Sequence, residues 1–268
     1  MSDVDSREQV QARDSGPAMF ARYAYAPNAL GYCGPPDPGA LLGAGALRGY
    51  DEELTHLARQ FEGAWPYLEL IAHSNAIDDP LDRRVVEAYW IGNGLTMQVA
   101  PKALASSMDE RFARRAGRHL ESLAGAALSG GVAQHGFHVF AAYPWLGLLR
   151  AGNEGPPLEI LDQCRIRWGR VLVVEGDFVA VSSRPLTFAG SRLVLGEERV
   201  EQVRRSLDGI GFVHDLHAGD VVSLHWDWVC DRLSETSLAW LRFCTHHNLH
   251  AVNFQAVPGP AVICNART

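Results

Sequence analysis

The sequence predicts an α+β protein: a mainly helical N-terminal domain over residues 19–150, then a small β-barrel with a C-terminal helix and tail over 151–268. Two observations predict it. Apolar residues recur every three or four positions between Asp51 and Gly131, whereas short β-branched runs separated by turns dominate beyond Arg165. Between the two textures lies "RAGNEGPPLE", Arg150 to Glu159, a Gly/Pro-rich join.

The elements follow in order. Residues 1–18 are polar and acidic and read as a disordered lead-in rather than a signal peptide. "FARYAYAPNALGYCGPPDPG", Phe20 to Gly39, carries tyrosines, prolines and glycines around Cys33 and reads as an ordered loop. Leu54, Leu57, Ala58 and Phe61 form one apolar helical stripe that Trp65-Pro66 breaks, and a short helix carries Tyr67 to His73. In "DDPLDRRVVEAYWIGNG", Asp79 is the expected N-cap, Pro80 the first helical position and Asn93-Gly94 the stop. "MDERFARRAGRHLESLAGAALSGG" reads as one helix ended by Gly130-Gly131, its charge run a solvated face.

In the second half, Val171–Val174 and Phe178–Val181 flank a turn at Glu175-Gly176-Asp177. Leu186–Phe188 and Leu193–Leu195 flank Ala189-Gly190-Ser191, and a charged strand runs from Arg199 to Arg205. "HAGDVVSLHWDWV" closes the set, and regular short strands of this kind suggest a barrel. Ser234 caps a final helix to about His247, with Leu233 and Leu238 as a hydrophobic staple.

Composition narrows the function. A net charge of −7 and a pI near 5.9 argue against a nucleic-acid or membrane-surface binder. No apolar run approaches the roughly 18 residues that span a bilayer. Five cysteines, at 33, 164, 230, 244 and 264, are odd in number and widely spaced, which suits free thiols in the cytoplasm better than a disulfide framework. No phosphate loop, GxGxxG or nucleophile elbow is present.

The chemistry-bearing order lies in the β half. Cys164 is followed five positions on by Gly169, then by the hairpin at Gly176-Asp177. Gly219-Asp220-Val221 opens a strand ending at His225, and Asp231-Arg232-Leu233 leads to the capped helix. This order resembles the HypC/HupF/HoxL family of hydrogenase-assembly chaperones. The whole chain is similar to an actinobacterial-type family associated with uptake-hydrogenase gene clusters.

The resemblance implies an OB-like barrel with Cys164 at the family's essential cysteine and His225 at its histidine. Together they would hold a transient iron carrying cyanide and carbon monoxide. Partners would be the hydrogenase large-subunit precursor or a maturation scaffold protein. A thiolate and a neutral imidazole suit iron. Gly169 matches the family's early glycine. Arg165 and Arg167 beside Cys164 would favour its thiolate; Asp227, which strand alternation puts on the His225 face, either orients the imidazole or is a plain solvated aspartate. The chain departs from the pattern in four places. Cys164 is internal, Trp168 replaces a proline, 61 positions (225 − 164) separate cysteine from histidine, and Trp226, Asp227 and Trp228 follow the histidine where the family continues small and apolar.

Other readings stand beside this one. A free cysteine often simply packs, and Cys230 and Cys264 read that way. Trp226 and Trp228 read as core covers. Further ligand candidates are Cys33, the pair His135 and His138, and Cys244 with His247 on one helical face, near His246 and His250. Cys164 and His225 could instead form a thiol nucleophile and base, or the barrel could be a metal-free binding module for a peptide or single strand.

Overall fold

The computed structural model describes residues 15–46, 52–112, 118–153 and 155–254. The fold is α+β. Its first helix, α1 (Gly16–Ala29), has Ser15 accepting from Ala18 N at its start and Pro17 in its first turn. Gly16 to Asn28 are all buried, so α1 runs through the molecule rather than over it. The stretch expected as a loop from Phe20 is therefore helical to Ala29, because its tyrosines and alanines face protein on every side. Residues 16–18 of the proposed lead-in are helical instead; residues 1–14 lie outside the described residues, as does Cys264.

Against α1 pack α2 (Gly39–Ala46), α3 (Glu52–Arg59) and α5 (Arg83–Trp90), and α4 (Trp65–Ser74) packs on α5. Leu54, Leu57, Ala58 and Phe61 are buried as their spacing predicts. The cap of α5 is Asp82, which accepts from Arg84 N, and not Asp79. Asp79 accepts from Leu81 N in the preceding turn, so Pro80 sits in that turn. Asn93 caps a 3-10 turn, Gly94–Gln98, instead of ending α5.

The single helix expected over Met108–Leu128 is two, α6 (Pro101–Phe112) and α7 (Arg118–Leu128), packed neighbours separated by residues 113–117, which lie outside the described residues. The basic run expected to form a solvated face straddles that connection. Gly130, at φ 99°, ends α7, and Gly131 N donates back to Ala126 O. Next come α8 (His135–Phe137), continuing as a π-helical turn His138–Ala142, then α9 (Trp145–Arg150) and α10 (Pro156–Cys164).

The strands are β1 (Arg167–Glu175), β2 (Phe178–Ser183), β3 (Leu186–Ala189), β4 (Arg192–Leu195), β5 (Arg199–Arg204), β6 (Ser206–Leu207), β7 (Ile210–Gly211), β8 (Val221–His225) and β9 (Trp228–Arg232). Five of them form one mixed sheet in the order β1-β2-β5-β9-β8, and β1 also pairs with β8. β5 meets β9 through a single parallel pairing, Arg204 with Trp228. β3-β4 and β6-β7 are separate hairpins.

Val171, Val179, Val181, Val203, Val222, Leu224 and Val229 fill the sheet's inner face. Burying each such side chain contributes about 1.5–3 kcal/mol. The opposite face of β8 carries Ser223 and His225. It meets α1, where Tyr23 Oη lies 2.8 Å from Ser223 Oγ.

Helix α11 (Glu235–Phe254) is the last element among the described residues, with Ser234 Oγ accepting from Ser237 N. It runs beyond His247 because Asn248, Leu249, Ala251 and Val252 continue its buried side. Asn248 Oδ1 accepts from Val132 N, and Asn253 exchanges two hydrogen bonds with the backbone of Leu193. The helix thus ties the helical half to the β3-β4 hairpin. One buried apolar cluster extends from Met19 to Val252 across the join near residue 150. No helix among the described residues is long and apolar enough to cross a membrane.

Candidate metal centre

Where α1, α8 and α10 meet the end of β8, a cavity of about 280 Å³ opens. Its walls are mainly apolar, but Cys33, His135, His138, Cys164 and His225 all line it. Five ligand-type residues from four separated stretches of sequence therefore converge. The ligand atoms of His135, Cys164 and His225 lie within 4.8 Å of one another, the one such triad among the described residues.

His225 is the most defined member. It ends β8, on the face turned to α1, and is buried. Its Nδ1 lies 2.6 Å from the Tyr23 carbonyl oxygen. A carbonyl can only accept, so Nδ1 carries the proton and Nε2 presents a lone pair. That Nε2 is buried and has no hydrogen-bond partner. Burial first, then neighbouring His135, hold the imidazole well below its usual range, and the main-chain groups of Tyr23 and Cys164 oppose them only in part. His225 is thus a neutral imidazole whose proton is engaged at Nδ1 and whose lone pair is presented at Nε2.

His135 is placed by the turn after Gly131, where Gln134 caps α8 by accepting from Gly136 N. Its Nε2 donates to Cys164 O at 2.8 Å, which leaves Nδ1 to accept from Tyr89 Oη at 3.0 Å. Burial lowers its pKa to about 4. Both nitrogens are engaged, so His135 joins a metal only if Tyr89 gives way. Trp90 packs against both rings, 4.7 Å from His135 and 5.7 Å from His225 between centroids. Its bulk fixes their angle.

Cys164 is the last residue of α10, its sulfur at the cavity wall. Burial raises its thiol, and a charge on Cys33 would raise it further. The expected help from Arg165 and Arg167 is not realised, because both guanidiniums are committed elsewhere. Arg165 pairs with Asp162 at 2.9 Å and donates to Arg184 O. Arg167 pairs with Glu201 at 3.1 Å and donates to Gln163 Oε1 and Trp226 O. They brace the α10–β1 and β8–β9 connections.

Asp227 is exposed in the two-residue turn between β8 and β9 and does not orient His225. Strand alternation stops at Trp226, whose φ of 55° turns the chain; the Tyr23 carbonyl fills the orienting role instead. Gly169 lies inside β1, where a Cβ would stand 3.0 Å from Val181 Cβ, so it serves sheet packing. Trp228 is buried, edge-on to Tyr25, as expected for a core cover. Cys230 is buried as well.

The remaining candidates divide. His138 lines the cavity with its Nε2 against Gly63, where a Cβ would stand 2.8 Å away. Its ring lies edge-on to Tyr143 at 4.8 Å. Cys33 lines the mouth. Solvent reaches it, yet enough protein surrounds it that burial pushes its thiol up to about 12. Cys244 is buried against Gly92, whereas His246, His247 and His250 are exposed, His247 lying on Phe243. The helix therefore holds them apart, and they form no site with one another.

Sequence reasoning did not single out Tyr23 or Tyr89, whose groups fix the two imidazoles. No local signal marks them, since both act across the tertiary interface.

The chain belongs to a family of unknown function, DUF6390, whose model matches residues 12–258. No curated protein and no solved structure matches it.

Proposed function

We propose that the protein is a metallocentre-assembly chaperone that holds a transition-metal cargo between Cys164 Sγ and His225 Nε2 and delivers it to a client. One observation carries the reading: a ring nitrogen of His225 and the Cys164 sulfur lie within 4.8 Å of each other on one cavity wall, and the buried His225 Nε2 has no hydrogen-bond partner. A buried lone pair without a donor is costly, and coordination would satisfy it. A main-chain oxygen on the far ring nitrogen is the usual arrangement behind a metal-bound histidine.

Two protein ligands leave coordination positions open, and the cavity gives small exogenous ligands a mostly apolar wall. This suits the cargo implied by the resemblance to the HypC/HupF/HoxL chaperones, an iron bearing cyanide and carbon monoxide. The client would be the [NiFe]-hydrogenase large-subunit precursor, served directly or through a maturation scaffold. The ring of five strands followed by a helix supports the OB-like barrel of that reading. Unbridged thiols fit a reducing, cytoplasmic setting. A thiol nucleophile fits less well. Burial keeps Cys164 protonated and His225 neutral, and the imidazole directs its proton to Tyr23.

The test is infrared spectroscopy on protein purified anaerobically from cells expressing the iron-ligand assembly machinery, beside Cys164→Ala and His225→Ala. Carbonyl and cyanide stretches are expected in the native protein and in neither variant. Folded native protein with neither bands nor iron would sink the carrier reading.

A further inference from the structure

We propose that Cys33 is a capture thiol: it takes a thiophilic metal complex at the cavity mouth, passes it inward to Cys164 and His225, and stays bound as the site's second thiolate. The inference rests on the metal-holding reading of the same cavity. It adds the route by which cargo arrives and the ligand that closes the site behind it.

Access is the first argument. His225 Nε2 is sealed from solvent and Cys164 is half-buried, while Cys33 is the exposed cysteine on the same cavity wall. A metal complex from outside therefore meets Cys33 before it meets either inner ligand.

Construction is the second. The Cys33 segment is built rather than loose. Asn28, buried at the end of α1, donates one amide group to both Cys33 O at 2.7 Å and Pro35 O at 2.6 Å. Gly31 and Gly34 flank the cysteine at φ 76° and 86°, conformations that favour glycine. Gly34 lies flat on Phe61, where a Cβ would come within 2.3 Å of the ring. Tyr32 stacks on Trp226 at 4.3 Å and 20°, joining the segment to the residue beside His225. An exposed free cysteine is ordinarily a liability. Here a buried amide, two left-handed glycines and an aromatic stack fix one over a cavity that holds an unpartnered imidazole.

The chemistry balances as ligand exchange. The Cys33 sulfur bonds the metal as one outside ligand leaves, and its proton passes to water. Cys164 repeats the exchange with a second outside ligand, and His225 Nε2 adds its lone pair without losing a proton. The metal's oxidation state does not change, so no oxidant or reductant is needed.

The test uses cobalt(II) and the full chain under anaerobic, reducing conditions. Thiolate-to-cobalt charge-transfer absorption reports how many sulfurs bind. Cys33→Ser is expected to lower the band to about half, one thiolate of two, and to slow loading severalfold. Cobalt should also protect Cys33 of the native protein from iodoacetamide. An unchanged band with Cys33 still alkylated overturns the capture role and leaves the Cys164–His225 site standing. Native protein that is folded yet binds no cobalt overturns both.

Discussion

His225 Nδ1 lies 2.6 Å from the main-chain oxygen of Tyr23, 202 positions earlier in the chain. A helix of the N-terminal half thereby sets the tautomer of a strand residue in the C-terminal half. The ligand is finished only when α1 has docked on β8, so the donor nitrogen and the fold's central contact arise together.

Acid should destabilise the protein through its buried imidazoles. Burial holds His135 near 4, against about 6.5 in an unfolded chain. The unfolded chain takes up the proton first, so stability is full above about pH 6.5 and is lost as pH falls toward 4. The loss from His135 alone is roughly 3 kcal/mol, and His225 acts in the same direction. Urea unfolding at pH 7.5 and 4.5 measures it. His135→Gln should flatten the slope by one proton; an equal slope in the variant would refute the assignment.

Arg167 should matter to stability and not to the thiol. It is buried and paired with Glu201, and breaking such a pair from one side costs about 3–5 kcal/mol. Arg167→Ala is expected to lose that much in denaturant unfolding. Made together with Cys33→Ser, so that Cys164 is the reactive sulfur followed, it should leave the pH profile of Cys164 alkylation unchanged. An upward shift of that profile would restore Arg167 as a thiolate-stabilising neighbour.

Metal loading should release protons in a countable way. Burial raises both cavity thiols, so each is protonated near neutrality and must lose its proton to bind. Both imidazoles of the triad are already neutral there and contribute none. Between pH 6.5 and 8.5 cobalt affinity should therefore rise about a hundredfold per pH unit in the native protein and about tenfold in Cys33→Ser. Competition titrations at several pH values read the two slopes, and equal slopes would exclude Cys33 from the loaded site.

Much of this was legible locally. The β-branched runs around Gly176-Asp177 and Gly190 give the hairpins, Ser234 gives the cap of α11, and alternation places His225 beside Ser223, away from Val222 and Leu224. What failed was local competition. Asp79 and Asp82 are both plausible caps, and only packing of Val85 and Val86 chooses Asp82. Asp227 left its expected face because Trp226 takes a left-handed turn that Gln163, Arg167 and Tyr32 hold in place. The centre itself was half legible. Each ligand type could be picked out, but nothing local says that residues 33, 135, 164 and 225 share a wall. That information resides in the docking of α1 and α8 against β8.

The internal position of α1 also bears on how the protein is made. Tyr23 leaves the ribosome early, while its partner Ser223 follows 200 residues later. At about 5–20 residues per second the wait is on the order of 10–40 s. Throughout it, an apolar helix destined for the molecule's centre has no strand to rest on. Nascent chains should therefore recruit holding factors soon after α1 emerges and release them only once β8 and β9 have been synthesised.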